Sequence, residues 1–368
     1  MRIVLTGADG FLGWHTRLRL HAHTDHVVVP VTRQTWDRLA AEVASADAVI
    51  HIAGANRGSD ASIADTNIGL ATELAAALAR SDRPTRVVLA GTIQAGGDSA
   101  YGQSKARVVE ILADAAQRES EFVNVEMPNL FGAHGRPRYN SFVATFIDSV
   151  INGETPSVVD RTVPLLSAQD AAGLLIDGLT AVPARALDSA TDVTVVEVWE
   201  MLQEFHAAYR TGEIPALTDD FRIDMFNAYR AALFPGHYPI PLVPHEDARG
   251  RFVETVRVRG GEGQSSMSTT AAGVTRGEHY HLRKIERFAV IAGRARIALR
   301  RMFSDEVVAF DVSGEAPTAI DMPIGWAHNI TNVGDDTLVT QFWSHELFRP
   351  EAPDTFPEPV EPTTEVAP

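Results

Sequence analysis

Two groups of residues in this chain of 368 have types and spacings that suit chemistry. Near the start, Gly7, Gly10 and Gly13 form G-x-x-G-x-x-G within MRIVLTGADGFLG, after an apolar strand and before a helix. Glycine lets the backbone turn tightly and approach a pyrophosphate, which then sits at the positive end of the helix. In YGQSK, Tyr101 and Lys105 are four apart, on one helix face. A lysine cation near a phenol favours the phenolate and lowers a pKa that starts near 10. Such a tyrosine can exchange a proton with a carbonyl oxygen, and Thr92, just after strand RVVLAG, offers the same oxygen a second hydroxyl. Far downstream, GEHYHLRKIERF holds His279, His281 and Glu286. The two histidines share one face of a strand, whereas Glu286 has the opposite parity and joins them only if the chain turns between. PIGWAHN adds His328. Imidazoles with one carboxylate suit a borderline divalent ion, zinc first, with iron, manganese and nickel also fitting.

These residues need two kinds of scaffold. RIVLT, HVVVPVT, AVIHIAG, RVVLAG and FVNVEM read as buried parallel strands, and alanine-rich segments such as IGLATELAAALARS between them have helical spacing. That alternation predicts a doubly wound α/β sheet over residues 1–242. The second strand carries no acid at the ribose position and is followed by Arg33, which favours NADPH over NADH. Prolines cluster in FPGHYPIPLVPHEDARG, and the linker is placed there. Beyond it RFVETVRV, ERFAVIAG, RARIALR, EVVAFDV and TLVTQFW are strands separated by turns, predicting an antiparallel barrel or sandwich over 243–350. Residues 351–368, with five acids, no bases and many prolines, read as a solvated tail.

Composition narrows the function. A net charge of -16 argues against nucleic acid, so an anionic ligand must be met by local arginines, backbone N–H groups or a metal. The absence of cysteine excludes disulfides, thiolate ligands and cysteine nucleophiles. No apolar run of membrane-spanning length and no apolar leader is present, so a cytoplasmic protein is expected.

TGADGFLG, the HIAG of 51–54, Asn67, Thr92, YGQSK and the PNLFG of 128–132 together resemble the extended short-chain dehydrogenase/reductase superfamily. The resemblance covers roughly residues 1 to 240. It implies a Rossmann-like domain that binds NADPH through Gly7, Gly10, Phe11, Leu12, Gly13, Arg33, Ala53, Gly54, Tyr101 and Lys105. Thr92, Tyr101 and Lys105 would be catalytic. Where the family usually shows serines before the catalytic hydroxyl, Ala90 and Gly91 stand here. Extended members mostly act on nucleotide-activated sugars, a role that suits Asn129 and the arginines Arg136, Arg138 and Arg161 as substrate contacts to a diphosphate. H-x-H-x4-E followed by P-x-G-x2-H-x3-N resembles the two cupin motifs, implying an all-β jelly roll with His279, His281, Glu286 and His328 as ligands. GVTRGEHYH and DARGRFVE also resemble the metal-free sugar 3,5-epimerases, in which His279 would be the base.

The whole arrangement resembles the CapF family of bifunctional capsular polysaccharide synthesis enzymes, down to RQT, IQA, YNS, DRTV, PIGWAHNI and the HEL of 345–347. That resemblance implies a zinc-bearing cupin that epimerises C3 of a UDP-2-acetamido-2,6-dideoxy-4-ketohexose. NADPH-dependent reduction at C4 would follow, giving UDP-2-acetamido-2,6-dideoxy-β-L-talose, a precursor of UDP-N-acetyl-L-fucosamine. It also implies a homodimer. If His279 binds metal, another residue must be the base, and Lys284 is the candidate. Two other readings stay open: a plain NADPH 4-keto-sugar reductase with a structural cupin, and a sugar-nucleotide binder without turnover.

Overall fold

A computed structural model describes residues 1–116 and 121–361; the end of the expected tail, 362–368, lies outside them. By its contacts the chain divides into two compact units. One comprises Met1–Thr145 and Val158–Val198, the other Phe146–Ser157 and Trp199–Pro368.

The first unit alternates β1 (Arg2–Thr6), α1 (Phe11–His23), β2 (Val27–Val31), α2 (Leu39–Val43), β3 (Ala48–His51), α3 (Asp60–Leu78), β4 (Arg86–Thr92), α4 (Ala100–Ala115) and β5 (Phe122–Met127). All five strands are parallel, in the order β2-β1-β3-β4-β5. The five strands expected from the sequence are these five. Ile3, Val4 and Leu5 have no exposed surface, because the sheet is covered on both sides. Ile3, Leu5, Ile50 and Val88 pack with Leu12, Leu20, Leu174 and Leu175. Val4, Val49, Val87 and Leu89 pack with Leu74, Leu78, Val108 and Leu112 on the other face. The strand order reverses between β1 and β3, and in such sheets the crevice at that point is where ligands bind. Ser59 and Ser99 start α3 and α4 by accepting the N–H of Ser62 and Gly102. A small sheet, β6 (Asn129–Phe131), β7 (Thr162–Ser167) and β8 (Thr191–Thr194), follows, with α5 (Phe142–Ile151) and α6 (Ala168–Asp177) between its strands.

The second unit takes in most of α7 (Val195–Tyr209), then α8 (Asp220–Leu233) and β9 (Ile240–Pro241), so the proline cluster lies inside it. β10 (Pro244–Asp247) and β11 (Gly250–Val253) form a two-stranded ribbon. The single strand expected over 251–258 stops at Val253; beyond it Ile214 N–H donates to Arg257 O, and Arg257 and Arg259 pair with Glu213, which draws the chain to the helical segment. Then come β12 (Gln264–Thr270), β13 (Thr275–Tyr280), β14 (Glu286–Ala292), β15 (Arg294–Arg301), β16 (Val307–Ser313), β17 (Thr318–Met322), β18 (Trp326–Asn332), β19 (Leu338–Ser344) and β20 (Phe356–Pro357). They build two antiparallel five-stranded sheets, β12-β19-β14-β17-β9 and β16-β15-β18-β13-β20. Arg287 and Asp321 form a buried two-bond ion pair at 2.6 and 2.9 Å, and the Tyr209 hydroxyl donates to the same carboxylate.

The expected solvated tail is corrected over 351–361. Phe356 and Pro357 pair with Tyr280 and His279, Arg300 donates to Val360 O and Pro359 O, and Val360 is buried. Asp354 accepts backbone N–H groups and Glu358 accepts from an arginine, partners that the composition alone does not disclose.

Candidate active site and metal centre

Two of the three glycines, Gly7 and Gly13, are sterically required. Gly7 has φ 70°, and a Cβ there would lie 2.8 Å from Ala53 N. A Cβ on Gly13 would fall 2.0 Å from Gly7 O. Gly7 N–H donates to Val31 O and Gly10 N–H to Gly7 O, both at 2.9 Å, and α1 starts at Phe11 with Leu12 buried below it. The Thr6 hydroxyl bridges His51 Nδ1 at 2.9 Å and the N–H groups of Ile52 and Ala53, which ties the end of β1 to the end of β3. A Cβ on Gly54 would meet the Asn67 carbonyl at 3.0 Å, and that carbonyl accepts Ala55 N–H. The result is a cradle of bare backbone at a helix N-terminus, which fits the pyrophosphate of a dinucleotide. Arg33 is exposed just past β2.

Tyr101 lies in the first turn of α4, where its phenol faces the Thr92 hydroxyl at the end of β4. Asn67 Nδ2 donates to Ser104 Oγ, and Ser104 to Tyr101 O, so α3 fixes the turn that carries the tyrosine. Lys105 is buried and its Nζ donates to Ala90 O at 3.0 Å. Burial pulls its pKa down to about 8. Burial raises Tyr101, with the Thr92 bond acting the other way. The expectation of a phenol depressed by the lysine is thus replaced: burial dominates, and the tyrosine keeps its proton. At Gly91 a Cβ would strike Asn124 Oδ1 at 2.1 Å, so a serine has no room beside this asparagine. The candidate substrate contacts are more dispersed. Asn129 Nδ2 reaches Pro164 O at 3.4 Å, and the Arg138 N–H donates to Thr145 Oγ1. Arg136 stacks over Tyr139, with Arg57 also near that ring, an arginine that its loop position alone did not single out. Arg161 is exposed and its carbonyl accepts Val195 N–H.

In the second unit His279, His281, Glu286 and His328 converge, with one ligand atom from each lying within 4.8 Å of all the others. The turn inferred between His281 and Glu286 is present, and β13 and β14 lie in different sheets. A bulge at Gly277 and Glu278, both at positive φ, shifts the register so that His279 pairs with His328. His281 Nε2 and His328 Nε2 stand 3.3 and 3.4 Å from one Glu286 oxygen. Two ligands of a tetrahedral ion at ordinary zinc distances are about 3.3 Å apart. In two of the rings the other nitrogen is committed: His281 Nδ1 to Asp354 O at 2.6 Å and His328 Nδ1 to Trp326 O at 3.1 Å. A carbonyl only accepts, so the Nδ1 of His281 and of His328 carries a proton, and the Nε2 of each ring is left facing the carboxylate. Burial and the neighbouring histidines hold His279 down at about 3, and burial lowers His328. Burial opposes ionisation of Glu286, but His281 and His328 outweigh it and keep the group well below the usual range. The His328 Nε2 is buried without an aligned hydrogen bond. Nitrogens this close to one carboxylate oxygen need a proton or a cation between them, and three imidazoles with one carboxylate are a donor set that fits a divalent metal, which would take the place of those protons.

Lys284, the sequence-derived candidate base, donates from Nζ to Pro353 O at 2.5 Å and Thr355 Oγ1 at 3.0 Å. The sequence reading did not single out Asp354, whose carboxylate lies against the ligand turn.

Comparison with known proteins agrees with both halves. The NAD dependent epimerase/dehydratase family model matches residues 3–176, and the polysaccharide biosynthesis C-terminal domain matches 245–356. Fold and sites together define an oxidoreductase of the nucleotide-sugar reductase and epimerase class, using a nicotinamide cofactor and carrying a C-terminal antiparallel β domain. The chain is 31% identical to the UDP-2-acetamido-2,6-beta-L-arabino-hexul-4-ose reductase of Pseudomonas aeruginosa, over 97% of this chain and 98% of that one. The crystal structure of the capsular polysaccharide assembling protein CapF from Staphylococcus aureus matches with a TM-score of 0.63 and 31% identity, over 98% of this chain and 100% of that one. The spore coat polysaccharide biosynthesis protein SpsL of Bacillus subtilis is 27% identical over 122 residues, 31% of this chain and 81% of its own. The chain belongs to the CapF-like family of capsular polysaccharide proteins. Among the described residues no helix is long and apolar enough to cross a membrane.

Proposed function

We propose that this protein reduces the C4 ketone of a UDP-2-acetamido-2,6-dideoxy-4-ketohexose with NADPH, giving UDP-2-acetamido-2,6-dideoxy-β-L-talose. The observation that carries the reading is buried Lys105, its Nζ bonded to Ala90 O, one helical turn beyond a Tyr101 that faces Thr92. Bound NADPH supplies the hydride. Tyr101, kept protonated by burial, gives its proton to the C4 oxygen. Thr92 holds that oxygen through its hydroxyl, and Lys105 presents a cation whose charge burial makes costly. Arg136, Arg138 and Arg161 are the diphosphate contacts, Asn129 is a further substrate contact, and Arg33 favours the extra phosphate of NADPH. The relative's activity on a UDP-hexul-4-ose supports the substrate class.

The β unit binds zinc through His279, His281, Glu286 and His328 and epimerises C3 before the reduction. The carbon beside a ketone is acidic only while the ketone exists, so epimerisation comes first. Lys284 is the proposed base that takes the C3 proton and returns one to the opposite face, and a bound divalent ion would stabilise the negative charge that develops on the ketone oxygen meanwhile. A second reading is favoured by one observation. Four protein ligands fill a tetrahedral shell, and closed shells are characteristic of structural zinc. The functional protein is a cytoplasmic homodimer.

One experiment tests both steps. The full-length protein receives the UDP-4-keto sugar in deuterated water, first without and then with NADPH, and NMR follows C3 and C4. Deuterium at C3 before NADPH is added, then the talo product, is the expected result. Reduction without C3 exchange would leave the β unit as a structural module, and no consumption of NADPH would remove the reductase reading.

A further inference from the structure

The C-terminal segment 353–360 takes no part in the chemistry above, yet its bonds converge on the ligand turn. Asp354 adopts φ 40°, a left-handed conformation. Its carboxylate accepts three successive backbone N–H groups, Leu282 at 3.0 Å, Arg283 at 2.9 Å and Lys284 at 2.6 Å. These amides form the turn that joins His281 to Glu286. The carbonyl of Asp354 accepts the His281 Nδ1 proton at 2.6 Å. The segment is held on either side of this residue: Lys284 donates to Pro353 O and Thr355 Oγ1, while Phe356 and Pro357 pair along β13. Farther on, Arg300 donates to Glu358, Pro359 O and Val360 O.

We propose that Asp354 is the positioning residue of the metal centre. This rests on reading His279, His281, Glu286 and His328 as metal ligands. One residue fixes two things at once. Its carbonyl sets the tautomer of His281, so that Nε2 presents a lone pair to the ion. Its carboxylate fixes the backbone that separates His281 from Glu286, and three N–H donors converging on one charged group make that anchor stiff. Without the carboxylate the turn loses its anchor, the Asp354 carbonyl drifts, and His281 is free to rotate. Partners of this outer kind typically govern metal affinity by about 10- to 100-fold.

The test uses full-length wild type, Asp354→Gly, Asp354→Asn and, as a control, Arg300→Met. Glycine accepts the left-handed conformation, so Asp354→Gly removes the carboxylate without straining the backbone. Arg300→Met loosens the same segment at residues 358–360 and leaves the turn alone. Zinc affinity is measured by competition with a chromophoric chelator, and cobalt(II) is added as a spectroscopic probe of ligand geometry. Circular dichroism confirms folding. The expected result is zinc binding weakened roughly 10- to 100-fold in both Asp354 variants, with an altered cobalt spectrum, and wild-type behaviour in Arg300→Met. If Asp354→Gly does not fold, Asp354→Asn decides. Wild-type protein that binds no metal would remove the metal centre, and the positioning role with it. A wild type that binds zinc while both Asp354 variants bind it within about twofold would overturn the role of Asp354 and leave the centre intact. An equal loss in Arg300→Met would also overturn it, because the segment would then act only as a brace.

Discussion

Lys105 is expected to lower stability while serving the reaction. Its ammonium is buried, with a 3.0 Å hydrogen bond to Ala90 O, and burial moves its pKa from 10.5 to about 8. At about 1.4 kcal/mol per unit this is about 3 kcal/mol of unfavourable desolvation in the folded state. Lys105→Met keeps the apolar stem and deletes the charge. Losing the hydrogen bond gives back about 1 kcal/mol. The cofactor-free variant should therefore be about 2 kcal/mol more stable than wild type at pH 7, and inactive in reduction. The sign follows from proton binding. Below about pH 8 the lysine is charged in both folded and unfolded chains, and the folded state bears the full cost. Between about 8 and 10.5 the unfolded chain still holds a proton that the folded chain has released, so wild-type stability rises with pH. The gap between the two proteins should thus shrink by roughly 2 kcal/mol on going to about pH 9.5. Urea denaturation of both full-length proteins at the two pH values measures it. A variant no more stable than wild type at pH 7, or a gap that ignores pH, would refute the reasoning.

Other consequences are as direct. Gly13→Ala places a methyl 2.0 Å from Gly7 O, so the loop or α1 must retreat; kcat/KM with NADPH should fall by roughly 100-fold, and an unchanged value would show that the cradle is not used. Arg33→Ala should narrow the preference for NADPH over NADH by about tenfold, the worth of one charge-assisted hydrogen bond, as read by steady-state kinetics with each cofactor. Asp321→Asn leaves the Arg287 guanidinium unpaired in the core of the β unit and should cost about 3 to 5 kcal/mol, checked by the melting of that unit.

Features that rest on local spacing were legible before any coordinates. Three glycines after a strand announce a phosphate cradle, and at Gly7 and Gly13 no side chain fits. His279 and His281 share a face by strand parity, and the LRKI turn was required to bring Glu286 to them. What stayed hidden depends on partners distant in sequence. The tail looks solvated because acids and prolines usually are, but Asp354 finds three N–H donors about seventy positions away. Lys105 looked like the group that tunes Tyr101, whereas burial decides the direction for both. The bulge at Gly277 and Glu278 is a register shift that periodicity does not report.

The hydroxyls of Tyr209 and Tyr238 bond to each other at 2.6 Å, Tyr209 also reaches Asp321, and Gly212 O accepts from Arg287 at 2.7 Å. Sequence texture assigns Tyr209, Gly212 and Tyr238 to the reductase half, yet they complete the polar interior of the barrel. The fusion is therefore not a seam that can be unpicked at the prolines. Expressing 243–368 alone would strip a buried ion pair of two neighbours and expose a core never meant to meet water. Exchange of this barrel between enzymes, in the laboratory or in evolution, has to carry its preceding helices along as part of the same inheritance.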